Sequence, residues 1–497
     1  MSTVLAVDAG TTGVTALLVT TDGRVAVRGY QELPQHFPAD GWVEHEPAEI
    51  WSATLAAVRS ALTQAEAEGV PAPVAVGITN QRETVVLWDR ETLGSPRPAI
   101  VWQDRRTAAL CEQLRAYGHE PRVHALTGLR LDPYFSGTKL AWLAANEPHT
   151  WSAVTAGRVA IGTVDSYLVA RMTRGLHHVT DPSNASRTLL FDLHAGTWSA
   201  ELCELFGVPM KALPDVVPSY GVVGRTDPSV FAGLDLPIAG IAGDQQAALF
   251  GQTCFAPGSS KCTYGTGSFV QVNTGTTPVD SPGGLLTTVA WGHPDGSLEY
   301  ALEGAVFVTG AAVQWLRDGL GILATSADVE ALAASVPDSG GVVLVPALTG
   351  LGAPDWDPTA RGLVIGVTRS TTRAHLARAT LEAIAFEVRD VVDLMVSEAG
   401  VVLPSLAVDG GAAANDLLCQ LQADQLGVPV LRPEVHETTG LGAAFLAGLA
   451  TGVWSSRDEL SATWRLQHRF DPGPREESAH RRWRRAVERS KGWTVED

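Results

Sequence analysis

A chain of 497 residues exceeds what one hydrophobic core sustains and predicts two large domains. With 45% hydrophobic and 18% charged residues it has the composition of a soluble globular protein, and its apolar runs are too short to span a bilayer. A net charge of −18 argues against non-specific binding to nucleic acid or to an acidic membrane, though not against a small anionic ligand held by local N–H donors. The five cysteines, Cys111, Cys203, Cys254, Cys262 and Cys419, form no C-x-x-C pair, which suits reduced, buried thiols in a cytoplasm. No basic flank followed by an apolar segment opens the chain, so no export signal is expected.

Residues 4–7 are a continuous apolar run ended by Asp8, as in a central strand. Gly10-Thr11-Thr12-Gly13 follows, then a second strand over 14–20, the turn Asp22-Gly23, and a third strand over 25–28. The Gly/Thr stretch is therefore a hairpin tip. Its N–H groups and hydroxyls suit phosphate oxygens, although many such tips serve turn geometry alone. It is not a Walker A loop, since no G-x-x-x-x-G-K-[ST] occurs. A helix is predicted from Pro47 to about Ala67, and a strand over 74–78 that runs into Thr79-Asn80-Gln81-Arg82-Glu83-Thr84. Arg82 and Glu83 read either as a solvated ion pair or as a donor and an acceptor aimed at hydroxyls. Trp102, after the apolar residues 99–101, is core or a wall for C–H groups of a small ligand. Arg105 and Arg106 are expected to open a solvated helix. A turn carrying Tyr134, whose hydroxyl can meet a ligand, precedes a helix through Trp142. Another helix starts near Thr163 or Asp165. Residues 180–188 are polar and turn-rich and read as a loop.

The apolar run 236–242 leads to Gly243 and then to Asp244-Gln245-Gln246. This has the length and bounds of a buried strand, with Asp244 at the carboxyl end, where open α/β sheets place their ligands. The plainer reading makes Asp244 a helix cap. A second strand–tip–strand unit follows around Gly265-Thr266-Gly267-Ser268, with Phe269 leaving it. The echo of the first hairpin suggests a duplicated architecture with phosphates held between two tips. A helix then carries Gly310, Gln314 and Trp315, residues 342–347 form a buried strand, and 349–356 form a loop. The amphipathic helix 373–399 reads as packing only. The strand 406–408 runs through Asp409 into Gly410-Gly411, with Asn415 one helical turn on; paired glycines let a flat ring or sugar approach the backbone. The basic helical run 481–489 reads as a solvated face.

In order and number, these motifs resemble the FGGY carbohydrate kinases, and within them the glycerol-phosphorylating members. The likeness rests on "GITNQRET", "IVWQDRRT", "TGLRLDPYFSGTKLAWL", "GTVDSYL", "SNASRT" and "GIAGDQQAALFGQ" in the first half. In the second it rests on "TYGTGSF", "ALEGAVFVTGAAVQWLRD", "PALTGLGAP", "VDGGAAAN" and "RPEVHETTGLGAAFLAG". The resemblance implies an α/β fold of two ribonuclease-H-like domains, as in the actin and hexokinase ATPases, with a cleft between them. The domains would span 1–251, with the polyol site and first phosphate hairpin, and 252–497, with the adenine nucleotide site. It implies ATP and Mg²⁺, phosphorylation of glycerol to sn-glycerol 3-phosphate in glycerol catabolism, a cytoplasmic location, and a homodimer or homotetramer with neither nucleic acid nor membrane insertion. Carried over residue by residue, the polyol site falls on Arg82, Glu83, Tyr134, Asp244 and Gln245, with Trp102 and Phe269 as apolar walls. The nucleotide site falls on Thr11, Thr12, Gly13, Thr266, Gly310, Gln314, Gly411 and Asn415, and Asp8 matches the carboxylate near magnesium.

The chain departs from the family at several points. Gly13, Val14 and Thr15 stand where Ser-Ser-Arg is usual, with the arginine reaching the phosphates. Ala9 replaces a glutamine and Asp355 a tyrosine. Residues 230–235 replace the loop that binds fructose 1,6-bisphosphate in enterobacterial members, and no phosphorylatable histidine lies near Val230, so neither form of regulation is expected. On this reading Asp244 takes the proton of a terminal hydroxyl as that oxygen attacks the γ-phosphorus in line. The rivals are a sibling kinase acting on xylulose, erythritol or a similar pentulose or tetritol, an actin- or chaperone-like ATPase, and a non-catalytic binding protein.

Overall fold

The structure, a computed structural model, describes residues 2–494. The first sheet comprises β1 (Thr3–Ala9), β2 (Gly13–Thr20), β3 (Val25–Glu32), β4 (Pro73–Asn80), β5 (Tyr220–Arg225) and β6 (Pro237–Gly243). Their order is β5-β6-β4-β1-β2-β3. β1 pairs antiparallel with β2, β2 antiparallel with β3, and β1, β4 and β6 run parallel. The apolar run 4–7 is fully buried, as a strand covered on both faces must be. The turn at Gly23 has φ +78°, which explains the glycine there. β3 continues to Glu32, past the expected stop at Arg28, because it stays paired to β2 as far as Gly13.

The second sheet repeats the plan with β7 (Ser260–Tyr264), β8 (Ser268–Gly275), β9 (Leu286–Gly292), β10 (Leu298–Val306), β11 (Leu406–Asp409), β12 (Val430–Pro433) and β13 (Leu466–Phe470). The order is β9-β10-β8-β7-β11-β12-β13. Here β10, β8 and β7 are antiparallel, and β7, β11 and β12 parallel. In both sheets, then, three antiparallel strands that include a Gly/Thr tip are followed by two parallel ones. The duplication suggested by the two tips is present in the topology, although the sequences of the two halves share little more than the tips.

Helix α1 (Pro47–Glu68) starts on proline at its first turn and ends at Gly69 in the left-handed region, φ 69°. The helices α2 (Asp244–Gly251) and α4 (Thr438–Ala450), with α3 (Arg373–Ala399) between them in the chain, join the halves. α2 leaves β6, and α4 follows β12 yet lies on the first sheet, with its Ala443 and Ala447 against Gly77 and Gly240. Where α2 and α4 cross, a Cβ on Gly442 would overlap the Ala247 carbonyl oxygen, and one on Gly251 the Thr438 carbonyl oxygen. The two backbones are in direct contact. A shared apolar cluster of Val4, Leu17, Phe250, Trp291, Leu441 and Phe445 surrounds the crossing.

Two local expectations are corrected. The Arg106 side chain is buried, not solvated: its guanidinium lies 3.7 Å from the Trp42 ring centroid and 4.9 Å from that of Trp142. It also bridges Asp104 and Glu44 at 2.8 Å each, and the helix there begins only at Ala108. Arg105 does remain exposed. Residues 180–188 are not a surface loop: Pro182–Ala185 is a buried helical turn capped by Asp181, and Arg187 behind it is fully buried. The basic run 481–489 lies in α5 (Glu477–Ser490), which buries Trp483, Ala486 and Val487 and ties Arg484 to Asp390 at 2.9 Å. Its charges otherwise lie on the exposed face, as the sequence predicts. All five cysteines are buried and free, as expected. No helix among the described residues is long and apolar enough to cross a membrane.

Candidate active site

Asp244 is the first residue of α2, directly at the carboxyl end of β6. Its carboxylate makes no side-chain cap bond across the helix start; Oδ1 accepts from the adjacent Gln245 N–H at 2.7 Å and faces Arg82 Nε at 3.1 Å. At 29% exposed it is the open member of an otherwise buried charge cluster. Burial raises its pKa, and the Arg82 guanidinium opposes that rise.

Arg82 and Glu83 follow β4, the parallel neighbour of β6, so both strands deliver their end residues to one place. Gly243 permits the approach: a Cβ there would lie 2.7 Å from Arg82 Cγ and Cδ. Glu83 has φ 61°, a strained conformation for a residue with a side chain. It is held by Ser136 Oγ donating to its carbonyl at 3.0 Å and by Arg187 Nε on its carboxylate at 2.7 Å. These two residues are 2% and 1% exposed, so the solvated-pair reading is excluded.

Tyr134 packs above them and its hydroxyl accepts from Arg82 Nη2 at 3.2 Å. Beneath it the buried Lys139 donates to the Tyr134 carbonyl at 2.6 Å; burial lowers that ammonium to a pKa of about 8. Trp102 and Phe269 close the apolar side, with ring centroids 5.6 Å from Trp102 to Tyr134 and 6.4 Å from Trp102 to Phe269. Trp102 Nε1 also donates to Thr11 Oγ1 at 2.9 Å, which ties this wall to the first hairpin tip. Gln245 is held by the buried Lys261, whose ammonium donates to its side-chain oxygen and to Thr263 Oγ1, the latter at 3.0 Å.

A cavity of about 430 Å³ opens in the second half. Thr266, Gly310, Gln314, Gly411 and Asn415, all foreseen for a nucleotide, line it together. So do Leu381 and Ile384 of α3, a helix expected to serve packing alone. Thr11, Thr12 and Gly13 lie instead at the β1–β2 tip in the first half, on the Trp102 side. The site is therefore bipartite. Asp8 is the next-to-last residue of β1, and burial with the Asp244 and Glu437 charges pushes its pKa up to about 8. Asp8 offers a carboxylate of the kind that suits Mg²⁺, which commonly takes one or two protein carboxylates and completes its shell with phosphates and water. Among the described residues no group of three or more His, Cys, Asp or Glu could hold a metal ion.

Four contributors were not foreseen: Arg187, Gln246, Lys261 and Glu303. Arg82 Nη1 donates to Gln246 at 3.3 Å and to Glu303 Oε2 at 2.5 Å. The available signal was weak. Arg187 and Glu303 fall within the stretches "SNASRT" and "ALEG", but a charge in a polar segment gives no indication of burial.

Models of the FGGY family of carbohydrate kinases match the chain twice, the N-terminal domain over residues 3–251 and the C-terminal domain over 260–451. A glycerol kinase of Aromatoleum aromaticum is 55% identical over 100% of both chains. The structure of Plasmodium falciparum glycerol kinase with ADP superposes with a TM-score of 0.92 at 32% identity, covering 99% of this chain and 98% of that one. A xylulose kinase from Rhodospirillum rubrum gives a TM-score of 0.85 at 28% identity over 98% of each chain. The chain therefore belongs to the FGGY family of carbohydrate kinases.

Proposed function

We propose that this protein transfers the γ-phosphoryl group of ATP to a terminal hydroxyl of glycerol, giving sn-glycerol 3-phosphate. The observation that carries the reading is the junction itself. A partly open carboxylate, Asp244, stands beside buried hydroxyl-binding groups on one side and the cavity-bearing half on the other. Arg82, Glu83 and Tyr134 offer donors and acceptors to hydroxyls, while Trp102 and Phe269 suit the C–H edge of a three-carbon chain. Similarity to glycerol kinases supports the choice of polyol.

In the reaction the hydroxyl oxygen forms a bond to the γ-phosphorus as the bond to the bridging oxygen of ADP breaks. The hydroxyl proton passes to Asp244. Because phosphoryl transfer has a loose transition state, the site contributes mainly placement and charge stabilisation. Thr11, Thr12, Gly13 and Thr266 would present N–H groups and hydroxyls to the phosphates. Gly310, Gln314, Gly411 and Asn415 would hold the nucleoside. Asp8 would hold Mg²⁺, which neutralises phosphate charge when bound. The units 1–251 and 252–497 are proposed as the two domains, in a cytoplasmic homo-oligomer.

The test is ADP release across a panel of polyols and ketoses. Release driven by glycerol, with sn-glycerol 3-phosphate as product, is expected. Release driven best by a pentulose or tetritol reassigns the substrate, and release without any polyol points to an ATPase.

A further inference from the structure

The polyol-facing pair Arg82–Glu83 is the visible part of a larger charge cluster. Two more charged side chains lie behind it, fully buried: Arg187 and Glu303. The four buried members carry two positive and two negative charges and so balance one another, as buried ions need to. Each oxygen of Glu303 is used twice. Oε2 accepts from Arg82 Nη1 at 2.5 Å and from Gln271 Nε2 at 2.8 Å. Oε1 accepts from Arg187 Nη2 at 2.8 Å and from Arg82 Nη2 at 3.1 Å. Glu303 therefore grips both terminal nitrogens of Arg82, leaving its Nε to face Asp244. Arg187 in turn fixes the strained Glu83 through Nε at 2.7 Å.

The supports come from different parts of the chain. Arg82 and Glu83 follow β4 of the first sheet, whereas Glu303 belongs to β10 of the second. The β8–β10 register sets Gln271 directly opposite Glu303, so the carboxylate is aimed by its own sheet. The neighbouring guanidinium groups hold Glu303 at a pKa of about 2, so it stays ionised at any working pH.

We propose that Glu303 and Arg187 are positioning residues: they lock the Arg82 fork and the Glu83 carboxylate, and so decide which end of the polyol is presented to Asp244. The assignment rests on the polyol reading of Arg82 and Glu83. Glycerol is prochiral, and its two ends differ only through how the other two hydroxyls are held. A guanidinium free to rotate accepts either orientation. A fixed one accepts one.

Glu303→Gln in the full-length enzyme keeps the shape but turns an N–H toward an arginine N–H. The expected result is a rise of about 30-fold or more in the glycerol KM with the ATP KM held within about twofold. The product is expected to contain measurable sn-glycerol 1-phosphate, read as total phosphorylated glycerol minus that oxidised by a dehydrogenase specific for the 3-phosphate. Gln271→Leu is the milder variant. It removes one hydrogen bond to Glu303 without unbalancing the buried charges, and should raise the glycerol KM by about 3- to 10-fold in the same selective way. Arg187→Lys, which keeps the charge but loses the fork, should leak the same minor product. A purely structural cluster predicts a lower urea midpoint with both KM values and the product handedness unchanged. That outcome in Gln271→Leu, or in a folded Glu303→Gln, overturns the assignment. Wild-type enzyme that releases no ADP in response to glycerol overturns the functional reading, and this one with it.

Discussion

Asp244→Asn separates chemistry from binding. The substitution keeps the size of the side chain and removes the proton acceptor. Loss of a positioned general base costs about 10²- to 10⁴-fold in turnover, or about 3–5 kcal/mol at roughly 1.4 kcal/mol per decade. Binding should change far less. Arg82 retains Glu303 at 2.5 Å and remains buried at 2% exposure, so its fork stays in place without Asp244. The carboxylate is 29% exposed, and the ion pair it leaves is partly screened by solvent. The glycerol KM is therefore expected to stay within about tenfold. Steady-state ADP release with saturating ATP measures turnover, and varied glycerol gives KM. Turnover within tenfold of the parent enzyme would falsify the base assignment. A raised KM with normal turnover would show that Asp244 binds the polyol and does not take its proton.

Other outcomes follow from the same geometry. Burial raises the Asp244 pKa, and a base must be deprotonated, so turnover should fall as pH drops through that raised value and be restored above it; a flat acid limb down to pH ~4 contradicts this. Asp8, pushed up to about 8, is protonated at neutral pH in the free enzyme, so uptake of Mg²⁺–nucleotide at pH ~7 should release about one proton, seen as a buffer-dependent heat in calorimetry and lost in Asp8→Asn. Gly310→Val places a Cβ 2.6 Å from the Gly265 carbonyl oxygen and must displace the second tip, raising the ATP KM about tenfold or more while sparing the glycerol KM. Arg106→Ala removes the charged partner of Asp104, whose side chain is 0% exposed and keeps only the Val43 and residue 106 backbone N–H groups. It should destabilise by about 3–5 kcal/mol in urea unfolding, and a loss under ~1 kcal/mol would show the pair to be dispensable.

What the sequence disclosed follows from how local each signal is. Strand ends and glycine tips are written in a few consecutive residues, so Asp8, Asp244, Arg82 and both hairpins could be placed. The sheet duplication could be inferred from two tips because a strand–tip–strand unit is itself local. The supporting residues could not. Glu83 meets Arg187 across 104 residues, and Arg82 meets Glu303 across 221. No periodicity links positions so far apart. Arg106 was misjudged for the same reason: a run of charges reads as solvated, and the two tryptophans that cover it lie elsewhere in the chain. The 180–188 segment shows a related limit. Serines and asparagines favour turns wherever they occur, and only the fold reveals that this turn is buried and capped by Asp181.

The crossing of α2 and α4 has a mechanical consequence. Two backbones in contact at glycines leave no space for a side chain between them, and the apolar cluster around the contact resists their separation. The crossing therefore acts as a fastening that fixes α4 against α2 and the first sheet. Since α4 grows from the second sheet and rests on the first, that fastening ties the two halves of the chain together. A methyl group added at Gly442 would overlap the Ala247 carbonyl and force the two helices apart.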